Sequence, residues 1–140
     1  MQAPIRFVVH GAPRTKKNSQ QIIQVPVPGT GKKRPVPIPS SDYKQYSRDF
    51  MWQIPPWIAR KTINEPVNLK CVYYMPTRRR VDLLNLLEAS CDILVDAGVL
   101  EDDNCKIVVS HDGSRVFYDK DNPRVEIEIT SASCDDVFEK

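Results

Sequence analysis

The 140-residue sequence predicts a single mixed α/β domain: a small mixed sheet carrying two main helices. Three observations carry that expectation. Apolar and polar residues alternate through 5–9, 66–75 and 124–129, the two-residue period of strands with one wet face. Two longer stretches, 43–54 and 82–97, repeat their apolar residues at helical spacing. The length and a hydrophobic content of 41% allow one core that holds without staples.

Composition narrows the function classes. No apolar run approaches the ~20 residues of a membrane span, and the first residues lack a signal-peptide core, so a reducing cytosol is expected. Cys71, Cys91, Cys105 and Cys134 form no C-x-x-C pair and have no His partner at short spacing, so no zinc site is expected. Three of these cysteines fall on apolar segments, where reduced core thiols are the expectation instead. The net charge of +2 conceals a division. Residues 1–80 hold fifteen Lys/Arg against three Asp/Glu, and residues 81–140 hold five against fifteen. That asymmetry fits a nucleic-acid surface in the first half and a cation site in the second; it also fits two halves that neutralise each other in the fold.

Taken in order, Ile5, Phe7 and Val9 alternate with Arg6, Val8 and His10 as a strand, which Gly11-Ala12-Pro13 breaks. Arg14, Lys16, Lys17 and Asn18 then make a loop of donors, suited to phosphate contacts or simply solvated. Gln20 to Val25 reads as a returning strand. Residues 26–39 carry five prolines around Gly29-Thr30-Gly31-Lys32-Lys33-Arg34, which excludes a central strand or a helix and predicts a basic loop. It either sweeps over DNA or is only solvated. It is no Walker loop, because the spacing and the following Ser/Thr are missing. Ser40-Ser41 offers a helix cap, and Tyr43, Tyr46, Phe50 and Ile54 follow as a buried aromatic stripe until Pro55-Pro56. Residues 66–75 form a strand ending at Arg78-Arg79-Arg80.

The helix over 82–97 puts Leu83, Leu86, Leu87, Ser90, Cys91, Ile93, Leu94 and Ala97 on one broad arc. Asp82, Asn85, Glu88, Asp92 and Asp96 line the other side, with Gly98 as the stop. Lys106 to Ser110 and Arg115 to Tyr118 read as a hairpin turning at Asp112-Gly113. Arg124 to Ile129 is a last strand, and 131–140 is expected to be a disordered tail. For Arg115 and Arg124, DNA contact and cross-strand pairing both stand, with pairing preferred.

The chain is organised around 78–103. Residues 82–103 hold seven carboxylates and no Lys or Arg, directly after three arginines. An acidic stripe is usually a solvated helix face, yet without compensating cations it repels itself by a few tenths of a kcal/mol per pair. Either the arginine run or a metal ion relieves that. Acids beside a basic rim suit magnesium, which needs one or two carboxylates plus water and phosphate oxygens. Ser/His and Cys/His schemes lack support, since His10 and His111 have no evident partner.

At Arg79-Arg80-Val81-Asp82-Leu83-Leu84-Asn85-Leu86, through Asp92 to Glu101-Asp102-Asp103, the chain resembles the RusA-type Holliday junction resolvases. The resemblance runs from the basic loop after the first strand to the last strand. It implies a RusA-like homodimer with its nuclease domain at 1–130. The implied activity is Mg²⁺-dependent phosphodiester hydrolysis of four-way DNA junctions, with Mn²⁺ as a substitute metal. It also implies a cytoplasmic setting, the host's if the protein is phage-encoded. Asp82 matches the family's first catalytic aspartate, Asp103 its last, and Asn85 the asparagine of its motif. Where the family commonly reads Asp-x-Asp-Asn-x-x-Lys, this chain has Leu84 and Glu88.

Helical side chains lean toward the N-terminus, so Glu88 covers the surface near Leu84 and is expected to replace the missing carboxylate. Lys16, Lys17 or Lys106 would supply the missing positive charge. The expected catalytic set is therefore Asp82, Asp103, Glu88 and Asn85, and the metal set Asp82, Asp103, Glu88 and Asp102. Arg14, Lys16, Lys17, Arg78, Arg79 and Arg80 are expected on DNA. The alternative is a catalytically degenerate protein of the same fold that binds branched DNA.

Overall fold

A computed structural model of the chain describes residues 3–16, 20–39 and 41–133, with Gln20, Gln21 and Pro39 described by their backbone only. The element order is β1 (Ile5–His10), β2 (Gln20–Pro26), β3 (Lys33–Pro39), α1 (Ser41–Gln53), β4 (Val67–Met75), α2 (Leu83–Asp96), β5 (Val108–Ser110), β6 (Arg115–Tyr118) and β7 (Arg124–Ser131). As expected, the fold is mixed α/β with two helices and a mixed sheet. Lys17, Asn18, Ser40, Cys134 and the rest of the expected tail from 134 onward lie outside the described residues.

Five strands form one sheet. β7 lies between β1 and β4 and runs antiparallel to both. The register turns the alternation seen in sequence into three apolar rows: Ile5–Ile129–Leu69, Phe7–Ile127–Cys71 and Val9–Val125–Tyr73. All nine side chains are buried. Shifting any of these strands by one residue would move its whole apolar set to the wet face, which fixes the pairing.

Leu86, Leu87, Ile93 and Leu94 of α2 and Tyr43, Tyr46 and Phe50 of α1 complete the same core. The α1 aromatics pack on one another, Tyr46 meeting Phe50 edge-on with ring centroids 5.9 Å apart, so the stripe is core. One buried polar contact links sheet and helix: the Tyr73 and Ser90 hydroxyls lie 2.7 Å apart. Gly98, at φ +79°, ends α2 as expected, with the Gly98 N–H donating to Val95 O and the Val99 N–H to Leu94 O.

Two expectations are corrected. The stretch 26–39 is not simply a loop, since 33–39 is a strand paired with β2 in a two-stranded ribbon. Pro26, Pro35, Pro37 and Pro39 fall on alternate rungs. That parity leaves the pairs Val25–Arg34, Ile23–Val36 and Gln21–Ile38 to exchange the ladder bonds. The prolines therefore remove no ladder bond and block the free edge of β3. Only the tip between Val27 and Lys32 is irregular, closed by the Lys32 carbonyl accepting from the Val27 N–H at 2.9 Å.

The second correction concerns 106–118, which is no hairpin. β5 and β6 both run parallel to β4, β5 along its start and β6 along its end. Asp112-Gly113 is an outward excursion in one interrupted edge rather than a reversal. β4 anchors the excursion: Asn68 Oδ1 accepts from Ser110 Oγ and the Asp112 N–H, Asn68 Nδ2 donates to Asp112 O, and Ser114 Oγ accepts from the Cys71 N–H. His111 Nδ1 lies 2.8 Å from Leu69 O, a structural contact.

Candidate acidic site and basic groove

α2 carries the acidic stripe and is buried on its opposite side, so its orientation is dictated by Leu86, Leu87, Ile93 and Leu94. Asp82 stands at the N-cap with extended backbone (φ −86°, ψ 123°), and its side chain does not cap the helix. Its Oδ2 instead accepts from Asn85 Nδ2 at 3.3 Å. This leaves an exposed carboxylate at the positive end of a helix. Leu84 is 77% exposed, an apolar side chain facing water at the motif position usually acidic. Glu88 is exposed as well, and with Lys16, Asn85 and Ala89 it lines a small crevice on the stripe.

Lys16 comes from the loop after β1, and its Nζ lies 2.9 Å from Asp92 Oδ2. The ammonium also faces the Tyr43 ring. The donor loop thus reaches the acidic stripe, one helical turn beyond Glu88. Lys106 has its backbone N–H on Asn104 Oδ1.

Asp102 and Asp103 are neighbours with different tasks. Asp102 holds the turn: its Oδ1 accepts from the Asp103 N–H and its Oδ2 from Asn104 Nδ2, and these bonds keep its carboxyl below the usual range. Asp103 is shifted the other way, raised by desolvation and then by the charges of Asp102 and Asp92. On α2, the charge that acts on Asp103 is that of Asp92. Asp92 thus pairs with Lys16 and adds its charge to that of Asp102 at Asp103, while Asp82 and Asn85 pair with each other at the helix start. Among the described residues, no three His, Cys, Asp or Glu side chains gather as a metal cluster.

Sequence reasoning left Asp92 out of the site. The signal was present, since Asp92 repeats Glu88 at i+4 and Asn85 at i+7. The same field reaches inward. Burial chiefly pushes the Cys91 thiol up to about 12, and Asp103, Asp92 and Glu88 add to it. Tyr43 is likewise raised to about 12, by burial first and then by Asp92, Asp96 and Glu88.

The expected DNA-binding residues divide. Arg14, Arg79 and Arg80 line one open groove of about 390 Å³ between the loop after β1 and the 75–81 connection. Arg14 lies 3.9 Å from Asp42, a loose pair that leaves the guanidinium half exposed. Arg78 turns away and covers the Tyr118 ring at 4.1 Å. Lys17 lies outside the described residues. Arg124 is engaged with Asp119 at 2.9 Å and Glu126 at 3.0 Å within its own segment, and crosses to β4 at the Tyr74 ring, 3.8 Å away.

The family model described as endodeoxyribonuclease RusA matches residues 8–130 of the chain. The chain belongs to the RusA endodeoxyribonuclease family. No curated protein matches it significantly. The RusA match runs from within β1 to within β7, and so includes the acidic stripe, the Asp102-Asp103 turn and the arginine groove.

The oxygen-only donor set of these acids suits a hard cation, and one or two carboxylates suffice for magnesium. Asp103, already in a field of like charge, fits that role. No helix among the described residues is long and apolar enough to cross a membrane.

Proposed function

We propose that this RusA-family chain is a structure-selective endodeoxyribonuclease that resolves four-way DNA junctions as a homodimer with Mg²⁺ as cofactor. The observation that carries the proposal is the pairing of an arginine groove with a helix that opens at the exposed carboxylate of Asp82, in a chain matched to the family along most of its length. Arg14, Arg79 and Arg80 hold phosphates along the groove, leading the backbone toward Asp82. Asn85 holds the Asp82 carboxylate in place. Asp82, Glu88, Asp102 and Asp103 are the ligands proposed for the metal. When bound, Mg²⁺ would activate a water and stabilise charge on the scissile phosphate. Lys16 neutralises Asp92 and supplies the positive charge beside Glu88 that the helix itself lacks. The three free cysteines Cys71, Cys91 and Cys105 suit a reducing, cytoplasmic setting.

A second reading has its own support: exposed Leu84 and Glu88, at motif positions usually acidic and basic, favour a protein that binds branched DNA without cutting it. Incubating a synthetic four-way junction with the protein in Mg²⁺ and in EDTA separates the two. Paired symmetric nicks in Mg²⁺ alone are expected; tight binding with no nicking in either would establish the binding module. Glu88→Gln should abolish metal-dependent cleavage and leave junction binding intact, and unchanged cleavage would remove Glu88 from the site.

A further inference from the structure

β6 is an edge strand whose four residues, Arg115, Val116, Phe117 and Tyr118, are all exposed. Its backbone parity is set by Asp119, whose N–H donates to Met75 O. Alternation along an extended strand then turns Arg115 and Phe117 toward β4, and points the N–H and C=O of Val116 and Tyr118 outward. The β3 edge of the ribbon is blocked by proline on alternate rungs, whereas the β6 edge carries none.

The outer face of the sheet carries a row that runs to the same edge. Arg124, Tyr74 and Phe117 are direct register neighbours across β7, β4 and β6. Arg124 covers the Tyr74 ring at 3.8 Å, and Tyr74 and Phe117 stack with centroids 5.5 Å apart and planes 24° from parallel. Arg124 closes the row at one end; at the other, Phe117 is 41% exposed and carries only the Arg115 guanidinium of its own strand, 5.2 Å from the ring centroid.

We infer that a second copy of this chain pairs antiparallel along β6, about a two-fold axis at Phe117. A continuous sheet requires opposed residues to share a face, so the residue numbers of each pair must have the same parity. Centring on Phe117 meets that condition and makes Val116 and Tyr118′ the hydrogen-bonded pair, the residues whose backbone groups already point outward. The aromatic row becomes Arg124–Tyr74–Phe117–Phe117′–Tyr74′–Arg124′, closed by a cation at both ends.

Arg115 falls opposite Asp119′, bringing opposite charges together; Asp119 accepts from Arg124 at Oδ2 and from the Asp121 and Asn122 N–H groups at Oδ1, which leaves one acceptor position for the facing guanidinium. The inference rests on the proposed homodimer, and names its surface, but does not depend on nuclease chemistry.

Sedimentation of the full chain and two variants tests it. The unaltered chain is expected to be a dimer. Val116→Pro, which removes an outward N–H and no β4 bond, and Phe117→Glu, which opposes two like charges, are each expected to be monomeric with unchanged circular dichroism. With Cys105 and Cys134 replaced by Ser, Phe117→Cys should oxidise to a disulfide-linked dimer. Opposed Cα atoms at a non-hydrogen-bonded rung are about 4.5 Å apart, within disulfide reach. Val116→Cys in the same background should not cross-link. A dimer that survives both interface variants, or cross-links through residue 116 instead, overturns this surface and leaves the homodimer standing. A monomeric unaltered chain overturns the homodimer itself and this surface with it.

Discussion

The hydroxyl pair of Tyr73 and Ser90 is the one polar contact sealed between the sheet and α2 that the structure describes in full, and both residues are almost completely buried. Removing one partner leaves the other desolvated without compensation. Tyr73→Phe should therefore cost about 1–3 kcal/mol in urea unfolding, and the double variant Tyr73→Phe/Ser90→Ala less than the sum of the two singles. A fully additive pair would show that the hydroxyls do not interact. The cysteines offer a second test at this scale. Burial pushes the Cys71 and Cys91 thiols up to about 12, while Cys105 is exposed. With Cys134 replaced by Ser, native protein at pH 8 should react with a thiol reagent once per chain, at Cys105, and three times when unfolded.

Among the elements, α2 does most to set the site, because its buried arc fixes which way the acids face. Its end depends on Gly98, whose positive φ brings the backbone so near Arg60 that an added Cβ would lie 3.3 Å from Arg60 Cα. Gly98→Ala combines a left-handed backbone with that contact, and should destabilise by about 1–2 kcal/mol in thermal or urea unfolding. Periodicity made α1, α2, β1, β4 and β7 legible from sequence, since each has a buried face of several residues at one period. β5 and β6 were recognised as strands, but their direction was not. An Asp-Gly pair marks a hairpin locally, and the cross-strand anchors that make it an excursion, Asn68 and Ser114, sit about forty residues away or pair with a segment that is. Proline density hid β3 for the opposite reason: the parity that lets prolines sit in a ribbon emerges only once the register is known. At the site, residue identities are readable and their grouping is not, since the charge Asp92 exerts on Asp103 depends on how the turn after Leu100 sits relative to α2.

For the molecule as a whole, the division of charge is the governing feature. The arginines of the basic first half converge on one groove, and the acids of the second half line the helix beginning beside it. DNA affinity should therefore fall steeply with salt. Replacing Arg14, Arg79 and Arg80 together by Ala should lower the magnitude of the log K against log salt slope by about two to three, near 0.9 for each lost phosphate contact. An unchanged slope in fluorescence anisotropy would mark the groove as surface charge only.

The β2–β3 ribbon has a thermodynamic consequence beyond its ladder. Four of its residues have φ set covalently near −65°, so the arm has few alternative shapes to forfeit whenever it is held against something. Most protruding segments must first be tamed at an entropic cost of about 1–2 kcal/mol per residue. This one is stiffened in advance, and a groove or duplex that meets it encounters a rod rather than a tether.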